Sequence, residues 1–236
     1  TSAPLISRGA YTPKQAYSEK DLREMTEYAM DRGVRLLFEV DGPGHTMSWG
    51  KGYPGMMPTR CYQEMPQQCN QCYRDVAANP IADETFEVLA AVLGDIVAST
   101  DTQFLHLGGD EVDYDCWAMD EGITQFMSKH GISDYAQLLG SYVERAIKIA
   151  NDNGATALLW EDTFMAGVRP PKDTIFDVWT NSTNVALVTE AGYRVVAAPA
   201  DFWYMDHTDN TWQKMYGYDP AAGLTAEQES LIVGGE

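Results

Sequence analysis

The feature that most restricts the fold is a repeated order: a run with helical spacing, then a short apolar run, with glycine at most of the joins. "YSEKDLREMTEYAMDRG" leads into "VRLLFEV", "ETFEVLAAVLGDIVAS" into "QFLHL", and "SDYAQLLGSYVERAIKIANDNG" into "ATALLW". Ser18 with Asp21 has the spacing of a capping box, Leu22, Met25 and Ala29 share one face, and Gly33 suits a helix stop. Phe86, Leu89, Leu93 and Val97 repeat that pattern, as do Leu138, Leu139, Tyr142, Ala146 and Ile149. "DTIFDVW" follows, then a short helix at "NVALVTEAG", the run "YRVVAAP" and finally "ESLIVGG". Apolar runs with so little alternation are expected of strands buried on both faces. Helices alternating with such strands predict an α/β fold with a parallel sheet, either doubly wound or closed as a (β/α)8 TIM barrel.

What stands just past each strand chooses between them. "LLFEV" is followed by Asp41-Gly-Pro-Gly-His45, and "FLHL" by Gly-Gly-Asp110-Glu111. Trp160-Glu161-Asp162 follows "ALL", Trp179 follows "IFDV", and Trp203-Tyr204-Met205-Asp206 follows "VVAAP". A barrel gathers its functional groups at the C-terminal rim of many strands, whereas an open sheet uses mainly one switch point. The pattern favours the barrel, although only six strands can be counted where a barrel has eight.

Composition narrows the partners. A chain of 236 residues with 44% hydrophobic residues can bury a substantial core, and no apolar run approaches the roughly 18 residues of a membrane helix. The net charge of -19 argues against a nucleic-acid partner, which calls for a basic face. It fits a well-solvated surface and is compatible with an acidic compartment. Cys69 and Cys72 form a C-x-x-C, readable as a metal half-site, a redox pair or a local disulfide, and no second pair follows at zinc-finger spacing. Asn181-Ser182-Thr183 is an N-glycosylation sequon, weak support for a secretory route.

Aromatic groups around carboxylates suit a sugar: the rings stack on its apolar face and the acids accept its hydroxyl hydrogens. Most glycosidases place two carboxyl groups about 5–9 Å apart across the scissile bond. Adjacent residues on a strand point to opposite faces, but Asp110 and Glu111 follow two glycines and can be turned into one cavity. Glu111 would then protonate the leaving oxygen while Asp110 orients a 2-acetamido group that supplies the nucleophile. The rival reading is a cation held by the four acids of "DEVDYD", although the EF-hand spacing is absent.

"HLGGDEV" together with "FEVDGPGHTMSWG" resembles glycoside hydrolase family 20, the β-N-acetylhexosaminidases. "GAYTPKQAYSEKDL", "YAMDRGVRLLFEVDGPGHTMSWGKGYPG", "HLGGDEVDYDCW", "DVW", "EAGYRVV" and "LIVGGE" fall in the family's order, the long blocks most like its eukaryotic lysosomal or secreted members. The resemblance implies a (β/α)8 catalytic domain, a retaining exo-hydrolase of terminal β-linked GlcNAc or GalNAc, and no metal or other cofactor. Glu111 and Asp110 take the roles above, and His45 supports Glu111 in a hydrogen-bonded relay. Trp160 and Trp179 match pocket walls, with Trp203 in the same aromatic rim. Tyr204 matches the tyrosine that bonds the acetamido carbonyl, and Asp206 the acid that binds sugar hydroxyls. An acid there, followed by His207, points to neutral hexosaminides. Asp41 and His106 are read as supporting their neighbours. Cys61 and Cys116 match a disulfide of the lysosomal members, which leaves Cys69 and Cys72 to pair locally or stay free, the first favoured in a secretory protein.

The chain departs from the family at both ends. It starts past the family's first two strands, so the arginine that binds sugar hydroxyls and the aspartate that supports the histidine are expected to lie outside residues 1–236. It stops just short of the "W-G-E" segment that completes the sugar subsite, and the usual N-terminal α/β domain is absent from it. Thr1 is thus expected to be an internal position, and residues 1–236 a partial barrel, about strands three to eight, of a longer protein. Catalysis would belong to that protein, which could form a homodimer or heterodimer. A glycan-binding or scaffold member that has lost catalysis is the alternative, disfavoured because Asp110, Glu111, His45 and Tyr204 are all present.

Overall fold

The computed structural model describes residues 3–68 and 76–236. All six expected strands form: β1 (Phe38–Glu39), β2 (Phe104–His106), β3 (Thr156–Trp160), β4 (Ile175–Val178), β5 (Arg194–Ala197) and β6 (Ile232–Gly235). They make one parallel sheet in the spatial order β1-β2-β3-β4-β5-β6. A doubly wound sheet reverses its order at a switch point, whereas a barrel wall adds each strand beside the last. This order is that of a barrel wall. The sheet also curls: the charge of Glu236, just past β6, helps to raise the pKa of Glu39 at the end of β1, so the two ends of the sheet lie near each other.

The helices begin and end where their local chemistry directs. Helix Glu19–Met30 opens with the full capping box, Ser18 Oγ accepting from Asp21 N–H at 3.2 Å and Asp21 Oδ2 accepting from Ser18 N–H at 2.8 Å. Helix Tyr135–Asp152 is capped by Asp134, and Leu138, Leu139, Tyr142 and Ala146 on one face are buried. With Leu93 of helix Asp83–Thr100 they pack against Leu105, Leu159, Phe176 and Val195 of the sheet, in one continuous core. Phe164, Phe176 and Tyr193 close it edge to face.

One expectation needs correction. "VRLLFEV" reads as buried on both faces, yet its ordered strand is only Phe38–Glu39, and Val34 and Leu37 are 53% and 42% exposed. Val233 of β6 is likewise half exposed. Burial needs a neighbour on each side, and among the described residues β1 pairs with β2 alone and β6 with β5 alone. An apolar pattern records what a residue can be packed against, not what is present to pack it.

A second, smaller cluster joins Met56, Met57, Val76, Ala78 and Val88 around the Cys61–Cys116 disulfide, whose Cα atoms are 5.3 Å apart. Cys61 lies on helix Thr59–Gln68 and Cys116 on helix Tyr114–Ala118, so the bridge joins the segments that follow β1 and β2. Cys69 and Cys72 lie outside the described residues.

Candidate active site

The site starts from a glycine turn. Past β2 the backbone takes φ +68 at Gly108 and +100 at Gly109, then φ +49 at Glu111. A β-carbon at Gly108 would stand 1.7 Å from Asp41 Oδ1 and 2.7 Å from Asp41 Cα, so only glycine fits there. The close approach lets Gly109 N–H donate to Asp41 Oδ1 at 3.1 Å. His106, at the end of β2, accepts Gly108 N–H on Nδ1 at 3.1 Å. Burial drives its pKa down to about 4, so it is a neutral ring and its 3.7 Å approach to Glu39 is not an ion pair. His106 thus holds the Gly108 N–H of the turn.

Asp41, just past β1, also reaches His45: Oδ2 is 2.6 Å from Nδ1. A carboxylate only accepts, so Nδ1 carries the hydrogen. The other ring nitrogen, Nε2, lies 3.4 Å from Glu111 Oε2. It faces Glu111 as an acceptor when the ring is neutral and as a donor when protonated. His45 therefore stands between two acids, Asp41 on Nδ1 and Glu111 facing Nε2. The resemblance assigned support of the histidine to an aspartate outside the chain; here Asp41 occupies Nδ1.

The adjacent acids end in different surroundings. The Glu111 side chain is 62% exposed, whereas that of Asp110 is 17% exposed, with Oδ1 3.7 Å from His45 Nδ1 and without a hydrogen-bond partner. Burial first, then the charge of Asp41, pushes Asp110 up to about 7, and His45 opposes the shift. The left-handed turn at Glu111 is what lets consecutive residues divide in this way.

The aromatic residues do not all converge. Trp179 stacks on Tyr204, with ring centroids 6.1 Å apart at 21°. The Tyr204 phenol is raised by burial and then by the charges of Asp177, Glu236, Asp110 and Asp206. Trp160 lies 4.5 Å from the His106 ring and donates its indole N–H to Glu39 Oε1 at 2.9 Å. Asp206 stands exposed in the loop after Tyr204. Trp203 differs: its indole N–H donates to Met215 O at 3.0 Å, and its ring packs on Tyr218 and against Gly235. Those contacts join the β5 and β6 ends to helix Trp212–Gly217, a packing role.

The acids of "DEVDYD" scatter instead of gathering round a cation. Asp113 caps helix Tyr114–Ala118, accepting from Asp115 N–H at 2.9 Å, and Asp115 is exposed on that helix. Among the described residues the grouping that comes within cation range is Asp41, His45 and Asp110, whose ligand atoms lie within 4.8 Å of one another. Its imidazole nitrogen is already bonded to Asp41.

Sequence reasoning missed three acids. Asp162 accepts Glu111 N–H on Oδ1 at 3.2 Å and Trp179 indole N–H on Oδ2 at 2.8 Å. Glu161, fully buried, accepts from Thr180 N–H at 2.8 Å and from Asn184 at 3.2 Å, also contacts the Thr180 hydroxyl, and ties β3 to the turn after β4. Asp177 is buried on β4 and pushed up to about 8 by burial, then by Glu236, Glu39 and Glu161. Asp162 and Glu161 stand at a strand end beside a tryptophan, a signal that was available; the burial of Asp177 in an apolar strand gave none.

These shifts give stability a pH dependence. Asp110 and Asp177 bind protons more tightly folded than unfolded, so stability is lost as pH rises from about 4 through about 7 and 8. His106 acts oppositely, costing stability as pH falls from its ordinary 6.5 towards about 4. Two acids outweigh one histidine across the shared range, and above it they act unopposed. Thermal melts of the full-length protein are expected to show a higher Tm near pH 5 than near pH 8; a flat or rising Tm would mean that these acids ionise in the fold without cost.

The chain is similar to known proteins in sequence and in fold. The model of the glycosyl hydrolase family 20 catalytic domain matches residues 1–232. The chain is 38% identical to beta-hexosaminidase 3 of Arabidopsis thaliana over 100% of its own length and 42% of that protein. It is 33% identical to the human beta-hexosaminidase subunit beta, with 100% and 42% covered, and 34% identical to the rat subunit alpha, with 100% and 45% covered. The chain thus spans less than half the length of these relatives. Its fold is similar to that of a Flavobacterium johnsoniae chitobiase, with a TM-score of 0.80 at 19% identity over 99% of this chain and 36% of the other. A glycine turn that sets two adjacent acids against a histidine, on a parallel barrel wall, therefore stands in a family context: this chain belongs to glycosyl hydrolase family 20, whose catalytic-domain model it matches.

Proposed function

We propose that the protein carrying this chain is a retaining exo-β-N-acetylhexosaminidase that removes terminal β-linked GlcNAc or GalNAc from glycoconjugates or chito-oligosaccharides. The observation that carries the reading is the divided pair: Glu111 open to solvent and 3.4 Å from His45 Nε2, Asp110 sunk beside it. Glu111 gives its proton to the glycosidic oxygen as the bond from C1 breaks. The acetamido oxygen attacks C1 and forms an oxazolinium, whose positive charge Asp110 stabilises while accepting the acetamido N–H. Asp110 Oδ1 lacks a partner, and a donor brought to this carboxylate favours the ionised form that the role needs. Glu111 then takes a proton from water, which adds to C1 on the original face. The relay through His45 to Asp41 holds the proton inventory of Glu111 between the two steps.

Tyr204 would bond the acetamido carbonyl, Trp160 and Trp179 would wall the sugar, and Asp206 would take its hydroxyls. A lysosomal or extracellular setting fits the disulfide, the exposed sequon Asn181 and the expected stability in acid. Several relatives are named as subunits, which supports a homodimer or heterodimer as the working form. Among the described residues no helix is long and apolar enough to cross a membrane.

The test compares hydrolysis of an aryl 2-acetamido-2-deoxy-β-glucoside with the matching plain β-glucoside by the full-length protein. Because an oriented internal nucleophile replaces an external one, the acetamido sugar is expected to react at least about 10³-fold faster. Equal rates would require a protein nucleophile and overturn substrate assistance. Absence of turnover on both would move the protein to the glycan-binding reading.

A further inference from the structure

We propose that Asp162 is a positioning residue that sets the general acid Glu111 and the sugar-facing wall Trp179 as one unit; the inference rests on the hexosaminidase reading above. Glu111 needs such support. Its φ of +49 is a left-handed conformation that is strained for a residue with a β-carbon, and its side chain is mostly solvent-exposed. Packing therefore does little to fix it. Its backbone N–H instead donates to Asp162 Oδ1 at 3.2 Å, across 51 positions of sequence. The second oxygen, Oδ2, takes the Trp179 indole N–H at 2.8 Å. One carboxylate thus joins the turn after β2 to the residue after β4, across the end of β3.

The chemistry of the joint requires an acid. Both partners are donors, so the bridging group must accept twice, and a carboxylate does so without choosing a rotamer. An asparagine presents one acceptor and one donor, so whichever way it turns, one N–H meets another N–H. Trp179 also stacks on Tyr204, so a sugar seated against that wall presses on the same carboxylate that orients the acid. Binding at the wall and proton delivery are thereby geometrically linked.

A misplaced proton donor has a recognisable signature. Leaving groups that depart readily need little protonation, whereas poor ones depend on it. The experiment measures kcat and KM of the full-length protein and of the Asp162→Asn, Asp162→Ala and Trp179→Phe variants. The substrates are aryl N-acetyl-β-glucosaminides with leaving phenols of increasing pKa. Asp162→Asn is expected to lose about tenfold with the best leaving group and about 100-fold or more with the poorest, mainly in kcat. Trp179→Phe keeps a smaller aromatic ring against Tyr204 and removes the indole N–H that Asp162 accepts, and is expected to show a weaker form of the same slope. Combined with Glu111→Gln, Asp162→Asn should cost little more, because the two act through one group. An equal loss across all leaving groups, or a fall in Tm that accounts for the lost activity, would make Asp162 merely structural and overturn the proposal. Wild-type rates in Asp162→Asn would overturn it too. Failure of the underlying reading looks different, since the unaltered protein would then hydrolyse none of these substrates.

Discussion

Replacing Glu111 with glutamine is expected to lower kcat on aryl N-acetyl-β-glucosaminides by about 10²–10⁴-fold, the usual contribution of a positioned general acid. The amide keeps the shape and removes the proton that the leaving oxygen needs. It also ends the line of exchange through His45 Nε2, 3.4 Å from Glu111 Oε2, to Asp41, 2.6 Å from Nδ1. The fold should not notice. The side chain is largely in water, and the backbone bond to Asp162 survives the substitution, so stability is expected to change by no more than about 0.5 kcal/mol. Steady-state kinetics beside a thermal melt separate the two effects. Near-normal turnover in a folded variant would remove Glu111 from the acid role.

The second large effect concerns the disulfide. Cys61 and Cys116 are 55 positions apart, and releasing that loop in the unfolded chain costs the fold roughly 4 kcal/mol in the chain-entropy model. For a domain of this size that corresponds to a fall in Tm of about 8–16 °C. The bridge also bears on the site. Cys116 lies five residues beyond Glu111, on the helix capped by Asp113, and the segment leading to Cys61 carries His45. Losing the pin frees the two segments that must hold Glu111 against His45. The full-length Cys61→Ala/Cys116→Ala variant is therefore expected to lose both Tm and a part of kcat. A Tm within a degree or two of the parent would show that the Met56, Met57 and Val88 cluster holds these segments without the bridge.

Much of this was legible before any coordinates. The capping box at Ser18 and the apolar faces at Leu93 and Leu138 are local patterns, and local patterns translate directly into helix starts and buried sides. The adjacent acids after two glycines pointed to a turn, because a strand would have sent them to opposite faces. Trp203 was misleading for the converse reason: its place in an aromatic run matched a rim, but its indole was claimed by a carbonyl on a helix that follows later in the chain.

Order along the chain was enough to require a parallel α/β wall with polar groups at one rim, because helix and strand periodicities are properties of neighbouring residues. Which groups meet at that rim is a matter of distances between segments far apart in sequence. Asp41 approaches His45 from within one loop, but it does so under a turn that only Gly108 can make, 67 residues later. Asp162 joins Glu111 to Trp179 across three strands' ends, and Asp110 acquires its raised pKa from the burial and charges that folding collects around it. Proton affinity and donor geometry arise from such convergence, so they exist only once the sheet has curled and brought the strand ends together.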